Sequence, residues 1–160
     1  MIRNKPLKVV VSFLLIIAVI FGALAWVTNA KNEQKASGNP YNKGLHPATI
    51  QQLENPLYEN IILPDELNER LENEENVTVY FQNPTCPACK EATPILIPLA
   101  DSLGIDLVNF NLLEFEHGWG DFKINGTPTI VHYENGIEVN RIEGLQEEDG
   151  YKQWYEQISR

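Results

Sequence analysis

The strongest pattern of apolar and polar positions along the chain runs from residue 77 to residue 103. A run of β-branched and aromatic side chains, Val77–Phe81, predicts a buried strand, and a polar loop follows it. Beyond the loop, apolar residues recur at spacings of three and four, which places them on one face of a helix. They are Ala92, Ile95, Leu96, Leu99, Ala100 and Leu103. The sequence therefore predicts a strand that leads directly into a helix.

The same periodicities predict further elements on either side of this strand–helix unit. A first strand is expected at 58–63, which contains an Ile-Ile-Leu run, and a helix is expected to start at Pro64. Asn135-Gly136 between two apolar runs is a strong hairpin signal. The other elements, in chain order, are a short helix at 46–53, a strand at 106–112, a short helical or irregular piece at 115–124, strands at 128–133 and 137–142, and a helix from about Gln146. This order predicts an α/β fold, in which four or five strands form a sheet with helices on both faces.

The segment Val9–Val27 is apolar apart from Ser12 and Gly22, and it carries no charge. As a helix it would be about 28 Å long, which is enough to span a hydrocarbon core. Basic residues lie in the segment 1–8 before it, so the positive-inside rule places the rest of the chain outside the cytoplasm. We expect 1–8 to be cytoplasmic and 9–27 to be a single-pass anchor. A cleaved signal peptide that ends near Ala30 is the alternative.

Composition divides the rest of the chain into a polar linker at 28–56 and a folded domain at 57–160. The formal net charge of the chain is −10, so nothing indicates a nucleic-acid partner.

Cys86 and Cys89 are the only cysteines in the sequence, and Cys86 lies where the predicted strand meets the first turn of the predicted helix. Unpaired N–H groups and the helix dipole stabilise a thiolate there, so Cys86 is expected to have a lowered pKa and to be the attacking sulfur. Cys89 is close enough for a disulfide and more shielded, as a resolving thiol would be. Pro87 suits the first helical position, and Ala88 completes the motif. The four residues predict a dithiol redox centre.

Two other interpretations of the cysteine pair stay open at this point. A purely structural disulfide between them would close a loop of about four residues and contribute only about 2 kcal/mol. Paired cysteines at this spacing are also common zinc ligands. The remaining candidate ligands, however, are scattered singly along the sequence: His46, His117 and His132. We therefore expect no metal site.

The domain at 57–160 resembles the thioredoxin fold. The strand before Cys86, Pro94 eight residues after it, the run Gly126-Thr127-Pro128-Thr129, the Asn135-Gly136 hairpin and Gly144 beyond it all occur in the family's order. The resemblance implies a central mixed sheet of four to five strands and a cis peptide bond before Pro128. It also implies that Thr127 and Pro128 contact the cysteines and bind substrate, with the Thr127 backbone pairing with an extended chain. The redox-active disulfide Cys86–Cys89 would then be the working group, with no other cofactor.

The departures from cytoplasmic thioredoxins are as informative as the matches. Thr85 stands where those proteins have Trp, and Pro87-Ala88 stands where they have Gly-Pro. Their buried Asp under the resolving cysteine corresponds to Tyr80, and the facing Lys to Asn109. With the expected anchor, the chain is more similar to the membrane-anchored, extracytoplasmic thiol–disulfide oxidoreductases of Gram-positive bacteria, including those that help secreted peptides to form disulfides.

The resemblance implies an enzyme that forms or exchanges disulfides in secreted or surface proteins, with protein thiols or disulfides as substrates and a membrane protein as redox partner. We expect a monomer in the cell membrane with its C-terminal domain outside. The first alternative is an anchored reductant of the cytochrome-maturation or spore-envelope type. The second is a binding module of thioredoxin fold without enzymatic activity.

Overall fold

The computed structural model describes residues 5–36 and 38–159. The chain divides into two compact units, Met1–Leu45 and His46–Arg160. One long helix makes up most of the first unit, and the second contains the sheet and both cysteines.

Helix α1 (Lys5–Ala36) contains the segment 9–27, for which the sequence predicts a membrane span. Large apolar side chains on this helix are exposed, among them Phe21 at 69% and Trp26 at 73%. Within the described part of the chain, no helix is both long enough and apolar enough to cross a membrane. Residues 1–4 of the predicted basic segment lie outside the described residues.

A mixed sheet with the strand order β2-β1-β3-β4 forms the centre of the second unit. Its strands are β1 (Val77–Gln82), β2 (Leu107–Asn111), β3 (Thr129–Glu134) and β4 (Ile137–Glu143). Strand β1 is parallel to β2 and antiparallel to β3, and β3 is antiparallel to β4. All six residues of β1 are buried, because it is a central strand covered on both faces. The run of β-branched and aromatic residues in the sequence reflects this position.

Helices cover both faces of the sheet, which confirms the predicted α/β architecture. They are α2 (Pro47–Gln52), a 3-10 helix (Pro56–Tyr58), α3 (Pro64–Glu72), α4 (Pro87–Ser102), α5 (Gly118–Asp121) and α6 (Glu148–Ile158). On one face, α4 packs through Leu96 and α6 through Tyr155, and both side chains are fully buried. On the other face, Leu67 of α3 packs against the apolar side chains of β1 and β2.

The prediction of a first strand at 58–63 is wrong. Its beginning belongs to the 3-10 helix, and only Ile61 makes an isolated bridge, to Asn109 of β2. The Asn109 N–H donates to the Asn60 carbonyl at 2.6 Å, and the Ile62 N–H donates to the Asn109 carbonyl at 3.0 Å. The pairing stops there, because Pro64 begins α3 and has no N–H to extend a ladder.

Candidate active site

Cys86 lies at the carboxyl end of β1 and is the residue that caps the amino terminus of α4. Its backbone is extended, with φ −74° and ψ 119°, and its sulfur accepts a hydrogen bond from the Cys89 N–H at 3.3 Å. Pro87 occupies the first helical position, where an N–H would have no partner. The preceding loop is held by Asn83, whose carbonyl accepts from the Cys86 N–H at 3.0 Å. The sulfur therefore faces unpaired N–H groups and the positive end of the helix dipole.

The loop before β3 lies against the same sulfur. The Thr127–Pro128 peptide bond is cis, and the Cys86 thiol donates to the Thr127 carbonyl at 3.3 Å. On the far side, the Gly144 N–H donates to the Pro128 carbonyl at 2.7 Å, which ties the loop to the end of β4. The structure thus brings Thr127 and Pro128 together with the cysteines.

The two cysteines are free thiols in unlike surroundings: Cys86 is partly exposed, whereas Cys89 is fully buried. Burial alone would raise the pKa of Cys86, but hydrogen bonds with the side chains of Thr127 and Cys89 and with the backbone of Cys89 and Ala88 outweigh it and bring that pKa below its usual value. Burial raises the pKa of Cys89 to about 11, against a smaller lowering by a hydrogen bond with the Asn83 backbone. Cys86 is therefore the thiol that ionises first.

Beneath the first turn of α4, Tyr80 and Thr93 form a cluster of hydroxyl groups that is completely buried. The Thr93 hydroxyl donates to the Cys89 carbonyl at 2.7 Å. The Tyr80 hydroxyl lies 3.1 Å from the Thr93 oxygen and 3.4 Å from the Cys89 carbonyl. The position of Tyr80 follows from the resemblance, but Thr93 was not identified from the sequence. Its only signal there is its place one helical turn after Cys89.

Asn109 lies beside Tyr80 in the register of β1 and β2. It is 2% exposed, and neither atom of its side-chain amide has a hydrogen-bond partner among the described residues. By resemblance, the positions of Tyr80 and Asn109 hold charged side chains in cytoplasmic thioredoxins. In this chain both side chains are neutral. The resolving thiol has a phenol beneath it in place of a carboxylate.

A second polar cluster, also unforeseen in the sequence, joins α2 to the carboxyl ends of β1 and β2. Glu114 accepts from the Thr49 hydroxyl at 2.7 Å and from the His46 N–H at 2.9 Å. The amides of Gln52 and Gln82 bond to each other at 3.1 Å. These contacts place the segment from residue 46 onward in the same unit as the sheet, although the sequence assigns it to the linker.

The other side chains considered as candidates form contacts away from the cysteines. His132 lies 2.9 Å from the Thr78 hydroxyl, and burial lowers its pKa against a smaller effect of Glu134. His117 stacks on Phe115. Within residues 5–36 and 38–159, no group of three or more His, Cys, Asp or Glu side chains could hold a metal ion.

Comparison with known proteins agrees with this geometry. The thioredoxin family model matches residues 60–157. A thioredoxin from Rickettsia conorii is 28% identical over 88 residues, which cover 54% of this chain and 84% of that protein. A Schizosaccharomyces pombe protein named as a putative protein disulfide-isomerase is 30% identical over 86 residues, but the match covers 52% of this chain and only 18% of that protein's own length.

Among solved structures, mitochondrial thioredoxin 3 from Saccharomyces cerevisiae superposes with a TM-score of 0.55 at 18% identity, over 63% of this chain and 98% of that one. A mutant thioredoxin from Halobacterium salinarum gives 0.54 at 23% identity, over 62% and 88%. These likenesses show the fold.

Paired thiols at a helix amino terminus, on this fold, define a thiol–disulfide oxidoreductase. The chain belongs to the thioredoxin family.

Proposed function

We propose that the chain works outside the cytoplasm and forms or exchanges disulfides in secreted or surface proteins through Cys86 and Cys89. The asymmetry of the two thiols supports the exchange reaction in this proposal. Hydrogen bonds outweigh burial and keep the pKa of Cys86 below its usual value, whereas burial raises that of Cys89 to about 11. A stabilised Cys86 thiolate favours the reduced pair, so the disulfide is a stronger oxidant.

In the oxidising direction the cysteines start as a disulfide. A substrate thiolate attacks the Cys86 sulfur, the Cys86–Cys89 bond breaks, and Cys89 leaves with the electron pair as a thiolate. A second substrate thiolate then attacks the substrate sulfur of the mixed disulfide and displaces Cys86 as a thiolate. The substrate has lost two electrons and gained a disulfide. A partner protein in the membrane, itself carrying a disulfide, would reoxidise the pair.

Thr127 and Pro128 would hold the substrate during this exchange. The hydrogen bond from Cys86 to the Thr127 carbonyl, at 3.3 Å, supports this role because it puts backbone polar groups beside the nucleophile. An extended substrate segment that paired with this backbone would have its cysteine next to Cys86.

The location outside the cytoplasm is an inference from the sequence alone. It is supported by the uncharged apolar segment 9–27 and the basic residues before it. An uncleaved segment would leave the enzyme anchored to the membrane, and cleavage near Ala30 would release it.

The direct test is oxidative folding of a reduced, unfolded protein substrate by the full chain in its disulfide form. We expect substrate disulfides to form and Cys86→Ser, which cannot form the Cys86–Cys89 disulfide, to abolish the reaction. Reduced Cys89→Ser, mixed with a protein that already carries a disulfide, should attack that disulfide through Cys86 and stay attached as a mixed disulfide, because the thiol that would release it is missing. If the substrate stays reduced while the reduced chain opens substrate disulfides, the enzyme is a reductant, as in the cytochrome-maturation or spore-envelope alternative. If Cys86→Ser leaves biological function intact, the chain is a binding module.

A further inference from the structure

The Tyr80 hydroxyl is a buried polar group that the exchange reaction does not use. It lies 3.1 Å from the Thr93 oxygen and 3.4 Å from the Cys89 carbonyl. The Thr93 hydroxyl has one proton, and it donates this proton to the Cys89 carbonyl at 2.7 Å. Tyr80 is therefore the donor in its contact with Thr93. Its proton has two acceptors within reach, the Thr93 oxygen and the Cys89 carbonyl.

Opening of the Cys86–Cys89 disulfide creates a need for such a donor. Cys89 leaves as a thiolate at a fully buried position, where an ion without hydrogen bonds is costly. The Asn83 backbone and Thr127 hydrogen-bond this sulfur from the loops. The Tyr80 side chain also interacts with the side chain of Cys89, and its hydroxyl lies 3.4 Å from the carbonyl of the same residue.

We propose that the Tyr80 hydroxyl donates a hydrogen bond to the sulfur of Cys89 whenever that sulfur is a thiolate, and so stabilises it as the leaving group when the disulfide opens. Tyr80 is then a catalytic residue, and Thr93 holds its hydroxyl when the sulfur carries no charge. No proton is transferred: the S–S electron pair stays on Cys89, and the phenol keeps its proton. This inference rests on the thiol–disulfide exchange proposed for the pair.

The electrostatic surroundings of the Cys89 sulfur favour a Tyr80 hydroxyl that stays neutral. Burial, followed by the charge of Cys89, raises the pKa of Tyr80 well above its usual value, so the phenol remains protonated while Cys89 ionises. The titratable groups that interact with Cys89 also include Cys86 and, from α6, Tyr151. The Tyr151 hydroxyl is engaged elsewhere, because it accepts from the Gln146 N–H at 3.2 Å and donates to the Gly144 carbonyl at 3.4 Å.

The test compares Tyr80→Phe with Tyr151→Phe, a matched loss of one buried phenol hydroxyl, in the full chain. Titration of the reduced protein with isotope-labelled cysteine, followed by NMR, gives the pKa of each thiol. Opening of the disulfide by dithiothreitol gives the rate. We expect Tyr80→Phe to raise the pKa of Cys89 by on the order of one unit and to slow opening several-fold, with Cys86 unmoved. Tyr151→Phe should change neither quantity.

Thr93→Val provides an independent variant, because it removes the competing acceptor and leaves Tyr80 in place. We expect it to lower the pKa of Cys89, the opposite direction from Tyr80→Phe. The inference is overturned if Tyr80→Phe leaves both the pKa of Cys89 and the opening rate at their wild-type values, or if Thr93→Val raises that pKa. A wild-type chain that forms no reversible Cys86–Cys89 disulfide would instead refute the proposed exchange itself.

Discussion

Replacement of Gly136 by alanine perturbs the turn between β3 and β4 where it packs on the segment between α3 and β1. Gly136 has a φ of +74°, in the left-handed region. Its N–H donates to the Glu75 carbonyl at 3.1 Å, and the neighbouring Asn135 N–H donates to the Asn76 side chain at 2.9 Å. A Cβ on residue 136 would overlap the backbone carbonyl oxygen of Leu71. The turn could accept alanine only by moving away from α3.

The size of the effect follows from two separate costs. A left-handed backbone costs an alanine about 1 kcal/mol relative to glycine. Movement of the turn would break the hydrogen bonds at Gly136 and Asn135, each of which contributes about 1 kcal/mol to stability. We therefore expect Gly136→Ala to lower the free energy of unfolding by about 3 kcal/mol.

Gly104 provides the control, because it has a similar φ of +68° and no neighbouring atom lies within 4 Å of the place that a methyl group would occupy. Gly104→Ala carries the backbone cost alone and should lower the free energy of unfolding by about 1 kcal/mol. Urea unfolding of the full-length variants, followed by tryptophan fluorescence, measures both. Equal losses for the two variants would refute the steric argument, since only Gly136 has a backbone atom in the way.

Two further predictions concern charge. The rate of Cys86 alkylation should rise with pH about a midpoint below the ordinary thiol value of about 8.5, because its hydrogen bonds outweigh its burial; a midpoint at or above that value would contradict the site electrostatics. Glu138→Gln should cost less than about 1 kcal/mol at neutral pH, because the hydrogen bond to Arg141 is partly exposed. That hydrogen bond holds the pKa of Glu138 in the folded protein below its usual value. Its contribution to the free energy of unfolding is therefore complete above the pKa that Glu138 has in the unfolded chain. The contribution is lost as the pH falls through the lower pKa of the folded protein. Urea unfolding at pH values near 7 and near 3 checks this, and a difference between Glu138→Gln and wild type that persists in acid would contradict it.

The elements that the sequence predicted well are those whose own pattern determines them. The β-branched and aromatic run at 77–81, the apolar face of α4 and the Asn135-Gly136 turn are all local signals, and each element appears in the structure. The prediction of a strand at 58–63 failed because an apolar run does not reveal that a 3-10 helix occupies its beginning and that a new helix starts at Pro64, which leaves few residues to pair. Here the structure gives it one bridge, to Asn109.

The same distinction between local patterns and long-range contacts applies to the active site. The cysteines, Pro87 and the loop with Thr127 lie in short motifs, so they could be located from the sequence. The contact between Tyr80 and Thr93 joins a strand to a helix across 13 residues, and that between Thr49 and Glu114 spans 65 residues. Such contacts depend on how α4 and α2 pack, which no local spacing specifies.

The reduction potential of the Cys86–Cys89 pair tests the central claim, that the site is built to oxidise its substrates. The full chain would be equilibrated in glutathione or dithiothreitol buffers and the fraction of disulfide measured. The account predicts a potential of about −120 to −180 mV, in the range of protein oxidants and isomerases. A potential of about −270 mV or lower would contradict it, because the pair would then donate electrons.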